Sequence, residues 1–170
     1  MKNTAFLILS VFFTTLIYAQ QMNKIITDPD INREILIGNV DETGLQNSIF
    51  VEEWDLAQDE YSPEKSTVKM LKKYFRNNKN AQIKIFFASW CGDSKEHLPH
   101  FLKIVKKAKI KNVKYIALSR KKTLPNEDIS SCKIEYVPTF IVYQDGEELG
   151  RIIESPEVSL EKDLLEIVSK

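Results

Sequence analysis

Cys91 is the residue whose type and setting could support covalent chemistry. It stands in the run Trp90-Cys91-Gly92-Asp93-Ser94, where an apolar, strand-like stretch gives way to a helical one. Free backbone N–H groups and the positive end of the helix dipole at such a turn stabilise a thiolate. Because the thiolate is the nucleophilic form of cysteine, the sequence predicts a reactive thiol here, with Trp90 covering it as a flat apolar surface. The alternative is a structural thiol, which this turn favours less.

Two histidines, His97 and His100, follow Cys91 on the predicted helix. One cysteine and two histidines could hold a metal ion. The histidines lie beside the apolar stripe of the helix rather than within it, so we expect a solvent-exposed face and no metal site. Stabilisation of the thiolate by His97 is the remaining alternative.

A basic run, Arg120-Lys121-Lys122, follows the second core strand. In a parallel sheet, the loops at the carboxyl ends of the strands gather on one edge. Cys91 also follows a strand, so the sequence places Arg120 near it. There the guanidinium could favour the thiolate or hold a carboxylate of glutathione or another substrate. A solvated basic loop is the competing interpretation.

The composition is that of an ordinary globular protein and excludes several function classes. The chain has 170 residues, 43% of them hydrophobic, which suits one domain with a modest extension. Its 24 basic and 24 acidic residues give zero net charge, which argues against a general nucleic-acid binder. Two cysteines are too few for a disulfide scaffold or a CxxC zinc site. No GxGxxG, phosphate-binding loop or CxxCH motif occurs, so no cofactor is expected.

The zero net charge hides a separation along the chain. Residues 28–64 contain eleven acidic side chains and one basic one, whereas residues 97–126 contain nine Lys or Arg and no acid. The two regions could neutralise each other across one fold, which is the interpretation we favour. A basic surface that attracts acidic partners is the alternative.

The first 19 residues have the layout of a secretory signal sequence. Lys2 supplies a positive start, and the apolar run from Ala5 to Ala19 has 15 residues, fewer than the ~20 that cross a bilayer. The small Ala19 precedes polar Gln20, as at a cleavage site. We expect an exported protein, periplasmic or secreted, with no stable membrane span after cleavage. An uncleaved anchor helix is the alternative, whereas a lipoprotein anchor is excluded because no cysteine follows the run.

Hydrophobic periodicity predicts an α/β fold with a mixed sheet. Strands are expected over residues 34–40, 82–88, 113–118, 139–143 and 147–153. Helices are expected over residues 94–108 and 125–132, and onward from the Ser-Pro pairs at 62–63 and 155–156. The helix that joins the first two core strands makes them parallel. The Asp145-Gly146 turn signal predicts an antiparallel hairpin between the last two.

The run FFASWCGDSK at residues 86–95, Pro99, and the run YVPTF at residues 136–140 occur within this order of elements. Together they resemble the thioredoxin superfamily over about residues 80–170. The whole chain is most similar to exported thioredoxin-like proteins of the Bacteroidetes type that carry a WCGDSK motif. The resemblance implies a thioredoxin-like fold, with a central mixed sheet flanked by helices, that acts on protein or peptide thiols and disulfides.

The same resemblance assigns roles around the cysteine. Val137-Pro138 is similar to a cis-proline loop that faces the catalytic cysteine, and the backbone of Val137 would pair with an extended substrate. Gly92 and Asp93 would also contact substrate. Lys95 matches a position that is often basic and would add positive potential.

Two departures from the family pattern limit what can be transferred. Ser94 replaces the resolving cysteine, and a hydroxyl cannot release a mixed disulfide, although it can hydrogen-bond the thiolate. Ile85 replaces the buried acid that accepts a proton. The ordinary dithiol cycle is therefore not available through this motif.

Three outcomes stay open for the chemistry. Cys91 could work alone, with an external thiol, glutathione being one candidate, releasing the product. Cys132, six residues before Pro138, could act as a distant resolving thiol if the two Cα atoms came within about 7 Å; its more common role is a small buried hydrophobe. Alternatively, chemistry has been lost and the fold is a redox-inactive module that binds extended peptides or partner proteins. We favour Cys91 alone, in a monomer.

The predicted domain organisation has three parts. Residues 1–19 are the signal peptide, residues 20–80 are an N-terminal strand and helix extension, and residues 81–170 are the thioredoxin-like domain. Trp54, Tyr61 and Tyr74 are expected to pack the extension onto the core. The extension would then cover a sheet edge that is otherwise exposed.

Overall fold

A computed structural model describes residues 22–46, 49 and 60–170 of the chain. The predicted signal peptide and Trp54 lie outside the described residues. No helix in the described ranges is both long enough and apolar enough to cross a membrane.

The centre of the fold is one mixed sheet. Its strands are β1 (Lys24–Asp28), β2 (Arg33–Val40), β3 (Gln82–Phe87), β4 (Val113–Ala117), β5 (Thr139–Gln144) and β6 (Glu147–Ile153), in the spatial order β1-β2-β4-β3-β5-β6. β3 and β4 are parallel, and every other neighbouring pair is antiparallel. The predicted parallel pair, the hairpin and the α/β architecture are confirmed.

In the described ranges, four α-helices accompany the sheet. They are α1 (Glu42–Leu45), α2 (Lys65–Asn77), α3 (Gly92–Ala108) and α4 (Leu160–Val168), and a short 3-10 helix spans Ser130–Cys132. α3 follows β3 directly, as predicted, and Cys91 is its N-cap residue with extended backbone angles. The helix therefore begins at the residue after the candidate nucleophile.

The two faces of the sheet are covered differently. On the helix-covered face, alternate strand residues such as Ile83, Ile85 and Phe87 are fully buried in one cluster with apolar residues of α2, α3 and α4. On the loop-covered face, Phe86, Ala88, Ile116, Leu118 and Ile141 form a smaller cluster with Ile129 and Val137. This second cluster draws its cover, within the described residues, from the segment 119–138.

Three predicted helix starts are wrong. α2 begins at Lys65 with Glu64 as N-cap, not at Ser62-Pro63. Only Ser130–Cys132 of the predicted 125–132 helix is helical, since Leu124 and Glu127 pair across a turn instead. α4 begins at Leu160 because the Asp163 carboxylate accepts the N–H groups of residues 157 and 158 (2.6 and 3.2 Å) and holds them outside the helix.

The N-terminal part of the chain joins the central sheet. β1, which the periodicity did not predict, pairs antiparallel with β2, and β2 pairs antiparallel with β4. Tyr61 and Tyr74 are half-buried against the main core cluster. Two ion pairs, Lys106–Glu42 (3.4 Å) and Lys121–Asp30 (3.5 Å), connect the basic and acidic regions. They support mutual neutralisation, although exposed pairs of this kind contribute little stability.

Candidate active site

The strand-to-helix turn places Cys91 between a buried strand and an open surface. Ala88 and Ser89 are buried, Cys91 is half-buried, and Gly92 and Asp93 are exposed. The Cys91 N–H donates to the Ala88 carbonyl (3.1 Å), and the Lys95 N–H donates to the Cys91 carbonyl (3.2 Å). A Cβ added at Gly92 would meet nothing within 4 Å. The turn is thus held by its backbone while one side of it stays open.

Two oxygen atoms lie near the Cys91 sulfur. The thiol donates to the Val137 carbonyl oxygen at 3.2 Å, and Oδ2 of Asp93 lies 3.9 Å from Sγ. Helix α3, which starts one residue later, has 17 residues and directs its positive end at this position. The positive helix end attracts negative charge at this position, whereas the Asp93 carboxylate repels it.

The loop that faces the sulfur is fixed by hydrogen bonds. The Val137–Pro138 peptide bond is cis, and both residues are buried. The Thr139 hydroxyl donates to the Tyr136 carbonyl (2.7 Å), and the Glu154 N–H donates to the Pro138 carbonyl (2.8 Å). These bonds on either side hold the Val137 carbonyl beside Cys91.

Ser94 is fully buried beneath the turn. Its hydroxyl oxygen accepts a hydrogen bond from the Ala88 N–H at 3.2 Å, so it ties the first turn of α3 to the end of β3. Its action on a Cys91 thiolate stays a prediction. Ile85, which stands where the family resemblance places a buried acid, is fully buried on the helix-covered face.

Arg120 packs on the ring of Trp90, the residue that precedes Cys91. The indole Nε1 donates to the Leu118 carbonyl (3.1 Å), which fixes the ring against the end of β4. The Arg120 guanidinium carbon lies 4.3 Å from the centroid of that ring. The predicted approach of Arg120 to the turn is therefore confirmed, while Lys95 is exposed on the first turn of α3.

Cys132 is the second free thiol and is half-buried at the end of the 3-10 helix. It packs on the same loop-covered cluster as Trp90 and Cys91, without a disulfide to Cys91. Nη1 of Arg151 donates to the Cys132 carbonyl at 3.1 Å. Burial raises the pKa of the neighbouring Tyr143, and the charge of Cys132 adds to that shift. A resolving role for Cys132 stays a prediction.

The predicted exposed face for the two histidines is wrong. His97 is only 8% exposed, and its Nε2 lies 3.2 Å from the Ser155 hydroxyl. His100 stacks on Tyr61 with ring centroids 4.3 Å apart. The chain before α2 and the loop before α4 cover this side of α3, which its own periodicity could not reveal. In the described ranges, no three His, Cys, Asp or Glu side chains converge as a metal site requires.

Two residues that sequence reasoning missed anchor the N-terminal hairpin to the turn. The buried Ser89 hydroxyl accepts the Leu36 N–H (3.0 Å), which joins β2 to the residue before Trp90. The Asp28 carboxylate accepts the Arg120 N–H (3.0 Å). That hydrogen bond is the main cause that holds the pKa of Asp28 below its usual value. The run Asp28-Pro29-Asp30 predicts a turn, but it does not indicate that the Asp28 carboxylate will accept a hydrogen bond from Arg120.

Comparisons with known proteins identify proteins that this chain is similar to. A family model described as Thioredoxin matches residues 62–166. Mitochondrial thioredoxin-3 of Saccharomyces cerevisiae is 30% identical over 97 residues, which cover 55% of this chain and 72% of that protein. A thioredoxin-like protein of Acanthamoeba polyphaga mimivirus is 27% identical over 81 residues, 48% of this chain and 58% of the viral protein's length. The thioredoxin structure from Fasciola hepatica covers 58% of this chain and 88% of its own, at 23% identity and a TM-score of 0.40.

Proposed function

The chain belongs to the thioredoxin family, and from that premise we propose that it performs thiol–disulfide exchange with Cys91 as its single nucleophile. The observation that carries the proposal is the position of Cys91, half-exposed at the N-cap of a 17-residue helix. A helix start is where a cysteine thiolate is stabilised. Both curated relatives above are named as thioredoxins or thioredoxin-like proteins.

The proposed exchange has two steps. The Cys91 thiol loses its proton to solvent, and the thiolate attacks one sulfur of a substrate disulfide. A Cys91–substrate disulfide forms, the substrate disulfide breaks, and the other half leaves as a thiolate that takes up a proton. In the second step an external thiolate attacks the substrate sulfur, a disulfide between the substrate and the external thiol forms, the Cys91–substrate disulfide breaks, and Cys91 leaves as a thiolate. A second external thiolate can then reduce the new disulfide and release the substrate thiol.

An external thiol is needed because the turn holds no second sulfur. Ser94 stands at the resolving position and has no sulfur to attack the mixed disulfide. Ile85 offers no group to exchange a proton. Protein or peptide disulfides are the proposed substrates, and glutathione is one candidate for the external thiol. Trp90 would shield the thiolate, Ser94 would hydrogen-bond it, and the backbone at Val137-Pro138, with Gly92 and Asp93, would contact the substrate chain.

We further propose that the exchange takes place outside the cytosol, in the periplasm or as a secreted protein of the WCGDSK-bearing exported type. The support is the apolar run from Ala5 to Ala19 with its positive start and small residue at the end. In an oxidising compartment, disulfide substrates persist.

A redox-inactive binding module is the second candidate function. The observation in its favour is that the Cys91 thiol donates to the Val137 carbonyl at 3.2 Å. A thiol engaged in this hydrogen bond could serve to hold the Cys91 turn and the Val137-Pro138 loop together. The same surface would then bind an extended peptide without covalent chemistry.

A thiol count by intact mass separates these functions. The protein would be incubated with glutathione disulfide and alkylated without reductant, and the modified cysteine located by peptide mass. One glutathione on Cys91, with Cys132 free to alkylate, is the expected result. A Cys91–Cys132 disulfide would replace the single-cysteine mechanism with a two-cysteine one.

The control is the Cys91→Ser variant, which should take up no glutathione at residue 91 and should retain its folded spectrum. If Cys91 stays unmodified in the unaltered protein while Cys132 reacts normally, the exchange function is overturned. The binding module then remains, and peptide binding should be equal in the two proteins.

A further inference from the structure

Arg120 packs on the residue that directly precedes the candidate nucleophile. Its guanidinium carbon lies 4.3 Å from the centroid of the Trp90 ring, and Trp90 directly precedes Cys91 in the chain. The ring itself is fixed by the hydrogen bond from Nε1 to the Leu118 carbonyl. A guanidinium stacked on an immobile ring has lost much of its freedom before any ligand arrives.

Within the described part of the chain, the Arg120 guanidinium contacts the Trp90 ring but pairs with no carboxylate. Its neighbour Lys121 pairs with Asp30, but Arg120 forms no ion pair with any residue of 22–46, 49 or 60–170. The side chain is exposed. The exposed guanidinium is planar, and its N–H donors have the arrangement that matches a carboxylate.

The N-terminal hairpin anchors the backbone that carries this side chain. The turn between β1 and β2 brings Asp28 to the end of β4, where its carboxylate accepts the backbone N–H of Arg120 at 3.0 Å and the backbone N–H of Asp30 at 2.8 Å. Asp28 is only 1% exposed. The loop that carries Arg120 is thus tied to a buried carboxylate and, through Lys121, to Asp30.

From this arrangement we propose that Arg120 is a specificity-determining residue, which selects disulfide substrates that carry a carboxylate near the reacting sulfur. The inference rests on the proposed exchange at Cys91. The negative group nearest the sulfur is Asp93, with Oδ2 at 3.9 Å from Sγ. An anionic substrate is therefore repelled on the Asp93 side and attracted on the Trp90 side, where Arg120 lies.

The test uses three small disulfides that differ in charge. Glutathione disulfide is anionic, bis(2-hydroxyethyl) disulfide is neutral and cystamine is cationic. The rate of mixed-disulfide formation on Cys91 is measured for the unaltered full chain and for Arg120→Gln. The matched control is Lys84→Gln, which removes another cation from an aromatic ring, 4.7 Å above Tyr143 and away from the turn.

Arg120→Gln should slow the reaction with glutathione disulfide by about three- to tenfold and change the rate with the neutral disulfide by less than about twofold. Cystamine should react as fast as before or faster. The preference of the unaltered protein for the anionic disulfide should shrink as salt is raised. Lys84→Gln should leave all three rates within about twofold.

A pair of disulfide-linked peptides with Glu or Gln beside the cysteine identifies the source of the carboxylate. Slower reaction of Arg120→Gln with the Glu peptide supports acidic protein segments as substrates. An effect confined to glutathione disulfide supports glutathione itself.

Asp28→Asn tests the positioning role of the hairpin. It should reduce the rate ratio between the anionic and neutral disulfides by about twofold, which a loss of folded protein would not change because both rates would fall together.

The inference and the proposed function can fail separately. If Arg120→Gln slows all three disulfides equally, or none, charge selection is overturned while exchange at Cys91 stands. If Cys91 of the unaltered protein reacts with none of the three, the exchange function is overturned and the inference with it.

Discussion

The two faces of the sheet have different roles in this protein. On the helix-covered face, three helices bury large side chains completely, and Phe101 of α3 packs on Phe140 of β5 with ring centroids 5.0 Å apart. On the loop-covered face, the cover is the segment 119–138, and a cleft of about 440 Å³ opens beside Leu124, Ile129 and Ile134. Most of the buried apolar side chains lie on the first face, whereas both thiols pack with the second.

The difference between the two faces accounts for the location of Cys91. Cys91 sits at the end of β3, where α3 leaves the sheet, so its backbone is anchored by the helix-covered core. Its side chain packs with the loop-covered cluster. A reactive group placed there is held by a rigid element and still reached from a surface built by loops.

The largest difference between the faces should appear when one apolar side chain is truncated on each. Phe101→Ala removes a fully buried ring from the helix-covered core and should lower the free energy of unfolding by about 3–5 kcal/mol. Ile129→Ala removes a side chain that is 9% exposed and should cost about 2 kcal/mol, because a loop can settle into the space. Urea unfolding at pH 7 measures both.

Phe101→Leu is the control, since it keeps most of the apolar volume and should fall between Phe101→Ala and the unaltered chain. Equal losses for Phe101→Ala and Ile129→Ala would contradict the contrast between the two faces.

The second-largest effect on stability is expected where the chain just before α2 contacts α4. Glu161 is 4% exposed and accepts hydrogen bonds from the Tyr61 hydroxyl and the Glu64 N–H. Burial acts to raise the pKa of Glu161, but these hydrogen bonds outweigh it and hold the pKa below the usual 4.5. Glu161→Gln should therefore lower the free energy of unfolding at pH 7 by about 1–3 kcal/mol.

The lowered pKa also fixes the sign of the pH dependence. Folding favours the ionised carboxylate, so its contribution is complete above pH 4.5 and is lost as the pH falls through the pKa of the folded state. Urea unfolding at successive pH values should show this acid-dependent loss in the unaltered protein and a smaller one in Glu161→Gln. An identical acid slope in both proteins would refute the assignment.

The smallest effect is expected at the edge of the loop-covered face. Asp93→Asn removes the carboxylate that lies 3.9 Å from the Cys91 sulfur. With this negative charge removed from beside the sulfur, alkylation of Cys91 by iodoacetamide at pH 7 should be about threefold faster. Glu96→Gln, on the exposed side of the same helix, serves as the control and should change the rate little. A slower Asp93→Asn would show that Asp93 promotes the thiolate.

Periodicity predicted the elements whose packing is encoded locally. The strands around 82–87 and 139–144 and the helix after Cys91 follow from runs and stripes of apolar residues. β1 was missed because Lys24–Asp28 mixes apolar and charged residues at an exposed edge. The start of α4 was missed because it depends on one carboxylate, that of Asp163, turning back onto the preceding loop.

In the candidate site, too, some features could be predicted from the sequence and others could not. The position of Cys91 and the approach of Arg120 follow from chain order and from the rule that parallel strands share a carboxyl edge. The contacts of the two histidines do not, because His97 meets Ser155 and His100 stacks on Tyr61, each more than thirty residues away in the chain. The tie from Asp28 to Arg120 spans 92 residues and has no local signal.

The measurement that tests the central claim most directly is catalysed exchange in three proteins. A peptide disulfide and excess external thiol are mixed with a small amount of the unaltered chain, Cys91→Ser or Cys132→Ser, and the rate of peptide reduction is followed. The account predicts acceleration by the unaltered chain and by Cys132→Ser, and a return to the uncatalysed rate with Cys91→Ser. Full acceleration by Cys91→Ser, or its loss only in Cys132→Ser, would contradict the assignment of Cys91 as the nucleophile.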